Sequence, residues 1–97
     1  MRHDIVLAPE AAGDLKKLSA HVRAQVRDAI ETHLRHQPTR TSRSRIKRLR
    51  AVAKPQYRLR IGEVRVFYDV SDATVFVLAI IPKSKADAWL RAIGEPK

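Results

Sequence analysis

The feature that most constrains this chain is the fourteen-residue run YRLRIGEVRVFYDV, Tyr57 to Val70, in which side-chain character alternates with period two on both sides of Gly62-Glu63. Period two marks a strand with one face packed and one face open. A two-residue turn with glycine first suits the type II′ hairpin. Closing the hairpin there pairs Ile61 with Val64, Arg60 with Arg65, Leu59 with Val66 and Arg58 with Phe67. Arg58, Arg60, Arg65 and Phe67 then share one face. Tyr57, Leu59, Ile61, Val64, Val66 and Tyr68 take the other, toward the helices.

Like charges directly opposed across a hairpin cost a few tenths to about 1 kcal/mol. Folding gains nothing from three clustered arginines, but a bound phosphate reverses the sign of that cost, because guanidinium forks grip phosphate oxygens in bidentate pairs. The alternative is that the arginines spread outward or pair with Asp69 or Glu95. An aromatic residue among arginines suits single-stranded nucleic acid, whose bases stack while cations hold the backbone. Phe67 fits that role. Trp89 extends the surface if the last helix crosses near it, and is otherwise a core residue of that helix.

The rest of the chain surrounds this hairpin. Val75 to Ile81 is apolar throughout, which predicts a central strand covered on both faces. Ser71-Asp72-Ala73 turns into it and Pro82 stops it. Ser84 with Asp87 three residues on reads as a capping box for a final helix, with Trp89, Leu90 and Ile93 on its apolar side and Gly94 at its end. Upstream, His3 to Leu7 is a short strand. Pro9 opens a helix with Ala11, Leu15 and Leu18 inward. Ser19 caps a second helix whose stripe is Val22, Val26, Ile30 and Leu34, closed by Gln37-Pro38. Residues 38–54 are polar and basic, with Ile46 and Leu49 as apolar anchors. The expected fold is α+β over a single domain, residues 1–97: an N-terminal strand and a two-helix hairpin packed on a small, mainly antiparallel sheet, with a short C-terminal helix.

Charge narrows the function. Lys and Arg total 20 against 10 Asp and Glu, a net charge of +10. Between Glu31 and Glu63, 31 residues carry ten Lys/Arg and no acid, an electrostatic footprint for a polyanion. Cysteine is absent, which excludes a disulfide framework, a thiolate metal site and a thiol nucleophile. There is no glycine-rich phosphate loop and no paired-carboxylate signal, so no small-molecule cofactor is expected. His33 and His36 are three apart on a helix, but no third ligand has suitable spacing, and no metal site is assigned. His3 and His21 read as surface residues. The longest apolar run is seven residues, far short of a membrane span. A soluble, cytoplasmic protein without membrane contact is expected.

The run Tyr57 to Val70, followed by VFVLAIIPKSKADAWL (Val75 to Leu90) and preceded by IKRLRAVAKPQ, resembles the RelE/ParE superfamily of type II toxin–antitoxin toxins, its RelE-like branch in particular. The resemblance covers nearly the whole chain. It implies a ribosome-dependent mRNA endoribonuclease that inhibits translation by metal-free attack of an RNA 2′-hydroxyl on the adjacent phosphate. Arg58 and Arg60 match the family's basic positions on the first hairpin strand, and Arg65 matches its second-strand arginine. Lys83 falls where the family often has arginine, with Lys85 within a one- or two-residue slip of it. Trp89 falls where tyrosine is common. The implied reacting set is therefore Arg58, Arg60, Arg65, Lys83 and Lys85. Lys47, Arg48, Phe67 and Trp89 are the expected substrate contacts. The lysines are the proton-transfer candidates, since arginine stays protonated. The implied partners are a cognate acidic antitoxin, the ribosome and mRNA. The runners-up are a ParE-like toxin that poisons DNA gyrase without nuclease activity, and a basic nucleic-acid-binding module.

Overall fold

A computed structural model describes residues 2–97. The elements run β1 (Asp4–Leu7), α1 (Pro9–Lys17), α2 (Ala20–Leu34), β2 (Ile46–Arg48), β3 (Val52–Lys54), β4 (Tyr57–Ile61), β5 (Val64–Ser71), β6 (Thr74–Pro82), α3 (Lys83–Ile93) and β7 (Glu95–Pro96). Five strands form one sheet in the order β1-β6-β5-β4-β2, and β3 pairs with β7 apart from it. β1 runs parallel to β6, and the other pairs are antiparallel. This is the expected α+β architecture. Among the described residues no helix is long and apolar enough to cross a membrane.

The central hairpin has the register read from its alternation: Ile61 opposite Val64, Arg60 opposite Arg65, Leu59 opposite Val66 and Arg58 opposite Phe67. Gly62 sits at φ +54°, a conformation in which side-chain-bearing residues are strained. The next turn is one residue shorter than Ser71-Asp72-Ala73, because Ser71 already pairs with Thr74, and Asp72 takes the positive φ.

The helical hairpin covers one sheet face. Ser19 caps α2, its side chain accepting from the Val22 amide. From α2, the Arg23 guanidinium donates to the carbonyls of Leu15, Lys16 and Leu18 at 2.9–3.3 Å, closing the C-terminal end of α1. Ala11, Leu15, Val26, Ile30 and Leu34 pack there on Leu59, Val66, Tyr68, Val75, Val77 and Ile80. A smaller cluster of Phe67, Ala79 and Ala86, with Leu49, Ile81, Trp89 and Leu90, lies under α3 on the opposite face.

A bulge shifts the phase of β6 between the two clusters. Phe67 pairs with Ala79 but Tyr68 pairs with Val77, so Leu78 is an extra residue in β6. Before it Val75 and Val77 face α1 and α2; after it Ile80 does, while Ala79 and Ile81 face α3. Past the end of β1, the Ile80 amide donates to the Asp14 carboxylate at 3.0 Å.

Several local expectations are corrected. β6 is central but not covered throughout: Phe76 is 39% exposed, and its partner Val6 on β1 is exposed beside it, because α3 reaches only the far half of the strand. Ser84 is not a helix cap. Pro82 is the N-cap residue of α3, with no side-chain cap bond, so the helix starts as soon as the strand ends. The basic stretch, to which the sequence assigns no element, holds two short strands: Ile46–Arg48 adds an edge strand and Val52–Lys54 pairs with the C-terminal β7. α2 ends at Leu34, three residues before Gln37-Pro38. His3 is half-buried rather than superficial, with a buried Nδ1 that has no partner.

Tyr68 ties the basic segment to the core. Its hydroxyl donates to the Pro38 carbonyl at 2.6 Å, and both residues are fully buried. Burial, reinforced by Tyr57 stacked at 5.4 Å, pushes the phenol well above its ordinary value, so it stays a donor. Tyr68→Phe should leave that carbonyl unpaired and cost about 1–3 kcal/mol. At about 4–8 °C per kcal/mol for a chain of this size, the midpoint of a circular-dichroism melt should fall by several degrees. An unchanged midpoint would refute this role.

Candidate functional site

The arginine face of the hairpin is not open sheet. α3 crosses it and presents Lys83, Ala86, Asp87 and Leu90, the i, i+3, i+4, i+7 side of a helix, to a cleft of about 410 Å³. The remaining walls are Lys47, Leu49, Arg58, Arg65 and Phe67. Pairing explains the gathering. Arg58 lies opposite both Lys47 on β2 and Phe67 on β5, so all three project from the same side of the sheet. The Lys83 amide donates to the Glu63 carbonyl at 2.7 Å, which pins the start of α3 to the hairpin turn. The N-terminal end of α3 therefore adds its partial positive charge to the mouth.

Arg65 is the deepest cation, only 6% exposed. Its Nη1 donates to the carbonyls of Gly62 at 2.8 Å and Val64 at 3.1 Å, which fixes the guanidinium plane. Among the described residues it makes no ion pair, and the one that is formed, Arg35 with Glu31, is elsewhere. Arg58 is half-buried, and its Nε is buried without a partner. Burial first, then the charges of Arg65 and Arg60, hold the Arg58 guanidinium below its ordinary value. Two partly desolvated cations without counter-ions are an unfavourable arrangement that an anion would relieve.

Of the residues expected to react, the cleft gathers Arg58, Arg65 and Lys83. Arg60 is exposed beside it, acting on Arg58 by charge. Lys85 lies outside the cleft, because two helix positions beyond Lys83 is roughly the opposite side of α3. Of the expected substrate contacts, Lys47 lines the cleft. Arg48, the next residue along β2, alternates to the helix side and packs over the Tyr57 ring at 5.0 Å. Phe67 is not a free stacking platform: it is 1% exposed and itself stacked on Trp89, with ring centroids 4.9 Å apart. Trp89 is half-buried and turned toward Lys54, Pro55 and Asp69, away from the arginines. Trp89 packs against the smaller core through Phe67 and keeps part of its surface exposed.

Asp87, half of the expected capping box, instead lines the cleft. Its i+4 spacing from Lys83, which places both on one helix side, is the signal for this in the sequence. Among the described residues it is the only acid lining the cleft. Among the described residues no three His, Cys, Asp or Glu side chains are grouped to hold a metal ion.

The family model of the ParE toxin of the type II toxin–antitoxin system, parDE, matches residues 5–87. No curated protein matches. Among solved structures, the toxin–antitoxin complex RelBE2 from Mycobacterium tuberculosis aligns with a TM-score of 0.73 at 25% identity, over 84% of this chain and 99% of that one. The RelB–RelE complex from Methanococcus jannaschii aligns with a TM-score of 0.65 at 19% identity, over 87% and 96%. The YoeB dimer from Staphylococcus aureus aligns with a TM-score of 0.63 at 18% identity, over 81% and 94%. The last two share the fold.

The opposed Arg60–Arg65 pair gives a direct test of the electrostatics. Arg60→Gln should stabilise the free protein by a few tenths of a kcal/mol in urea titrations at low ionic strength. The gain should shrink in high salt, where exposed charges are screened. A loss of stability, or a gain indifferent to salt, would show that the pair is not repulsive.

Proposed function

The chain belongs to the ParE toxin family of type II toxin–antitoxin systems, within the RelE/ParE superfamily, and from that premise we propose that this toxin is a ribosome-dependent endoribonuclease acting on mRNA. The observation that carries the reading is the gathering of Lys47, Arg58, Arg65 and Lys83 in one cleft, none of them with an ion-pair partner among the described residues. A buried, carbonyl-oriented guanidinium at the base of a cleft is what a phosphodiester cleavage site needs to hold the charge that develops on the phosphate.

The chemistry follows from which groups can move protons. Arg58 and Arg65 hold the phosphate and the charge that develops on it, and neither can act as a base. Lys47 extends the contact along the RNA backbone. Asp87 is the one acid among the described cleft residues, and its side-chain oxygens can accept a proton. In this reading Asp87 takes the proton of the 2′-hydroxyl as the 2′-oxygen bonds to phosphorus. Lys83, one helical turn away, gives a proton to the departing 5′-oxygen as the phosphorus–oxygen bond breaks. The ends left are a 2′,3′-cyclic phosphate and a 5′-hydroxyl. A lysine base, the expectation from sequence, would first have to lose its proton, and it is not needed once a carboxylate lines the same wall. No step requires a metal or cofactor.

The net charge of +10 suits a cognate acidic antitoxin covering this surface in the resting complex. The solved relatives from M. tuberculosis and M. jannaschii are themselves toxin–antitoxin complexes, which supports that assignment. Gyrase inhibition is the second reading, because the matching family model is that of ParE.

Primer extension on translated messages after induction tests the proposal. Arg65→Ala, Lys83→Ala and Asp87→Asn should each slow cleavage by about 10²-fold or more. Full activity in Arg65→Ala and Lys83→Ala together would remove the assignment, and full activity in Asp87→Asn alone would return the base to a lysine. Intact transcripts with DNA damage would favour the gyrase reading.

A further inference from the structure

A second basic cleft, of about 260 Å³, lies on the other side of β2 and belongs to no part of the reading above. His33, His36, Arg40 and Arg45 line it together with Ser42 and Ile46, and no carboxylate does. Its walls come from the end of α2 and the segment that leads into β2.

That segment is fixed at both ends. Pro38 is buried under the Tyr68 hydroxyl. Further on, the Ser42 Oγ accepts from the amides of Arg45 at 3.0 Å and Ile46 at 3.3 Å, and the Ser42 amide donates to the Ile46 carbonyl at 2.9 Å. The turn so formed holds Arg45 at the cleft. The Arg40 guanidinium donates to the Gln37 side chain, a neutral acceptor, and neither arginine has an ion-pair partner among the described residues. The C-terminal end of α2 carries about half a negative charge, which two guanidinium charges outweigh.

The position of the cleft identifies the ligand. Ile46 lines it, while the next residue, Lys47, lines the first cleft. The two basic clefts are therefore separated by the width of an edge strand, with Lys47 and Arg45 on either side. We propose that this cleft is a second phosphate site, which takes a phosphodiester of the RNA strand as it passes over β2 from the first cleft. The inference rests on the RNA-binding part of the proposed function and not on cleavage.

His33 makes the site proton-linked. Burial, then the Arg45 charge, hold the His33 imidazole below its ordinary value, with Asp28 pulling the other way. His36, Arg40 and Arg45 are the other charged or titratable groups lining the cleft. A phosphate beside His33 favours the charged imidazole, so binding takes up a proton. Affinity should rise as pH falls through the histidine range.

The test uses the full chain and a short 2′-O-methylated oligouridylate, which binds as RNA but cannot be cleaved. The double variant R40Q/R45Q, altered only at exposed positions, should bind about tenfold or more weakly and lower the salt slope by about 0.7, the loss of one single-strand phosphate contact. Binding by the wild type should tighten between about pH 8 and about pH 6, and H33Q should flatten that dependence. In NMR the oligonucleotide should move the His33 ring signal at concentrations where inorganic phosphate does not. Wild-type affinity and slope in R40Q/R45Q, with binding weakened in R58Q, would overturn the second site and leave RNA binding intact. A His33 signal that responds to inorganic phosphate alone would overturn its assignment to an RNA strand. No binding by the wild type would overturn both.

Discussion

Everything at the candidate site depends on the register of β4 against β5. Strand side chains alternate, so a slip of one residue would exchange the two faces of the hairpin. Leu59, Val66 and Tyr68 would leave the main core, and Arg58 and Arg65 would enter it. Gly62 holds the register, because its positive φ closes the turn in two residues. The same turn supplies the Gly62 carbonyl that orients Arg65 and the Glu63 carbonyl that receives the first amide of α3. One turn thus sets the sheet register, aims the deepest cation and positions the helix that carries Lys83.

The site also shows a tension between folding and binding. Arg58 and Arg65 lose hydration without gaining a counter-ion, and Arg60 adds repulsion from across the ladder. A structure selected only for stability would fill these positions with apolar residues or pair them with acids. The smaller core under α3 supports the arrangement: Phe67, stacked on Trp89, gives the cleft a rigid apolar floor. Its aromatic pair serves the site from beneath, by keeping the guanidinium groups on a fixed base.

Much of this was legible before any coordinates. The pairing of Arg58, Arg60, Arg65 and Phe67 follows from alternation and a two-residue turn, which are local and strongly constrained. What resisted reading was what depends on how one element lies on another. The burial of Phe67 requires knowing that α3 crosses the arginine face, and nothing local to Phe67 says so. Arg48 and Lys47 were grouped by charge, although the pairing of a three-residue edge strand, too short to show a period, sends them to opposite sides. Charge and nearness in sequence group Lys85 with Lys83, but neither reports the azimuth on a helix. Asp87 was overlooked for the converse reason: its spacing from Lys83 carried the information, and a capping pattern offered a simpler use for the same residue.

The extra residue at Leu78 has a bearing on how such chains diverge. Because β6 changes phase there, the strand contributes Val75 and Val77 to one core and Ala79 and Ile81 to the other, and Pro82 hands over to α3 at one particular rotation. The bulge works like a key cut in a shaft: it decides at what angle the helix is mounted. A chain that lost Leu78 would keep every residue on its present face, since Val77 and Ala79 would still meet Tyr68 and Phe67, but the strand would lose the bend and extra twist that help set the angle of α3. Length variation at this one place in the sheet would then reset the tilt of the helix over the arginines while the strand register stays as it is.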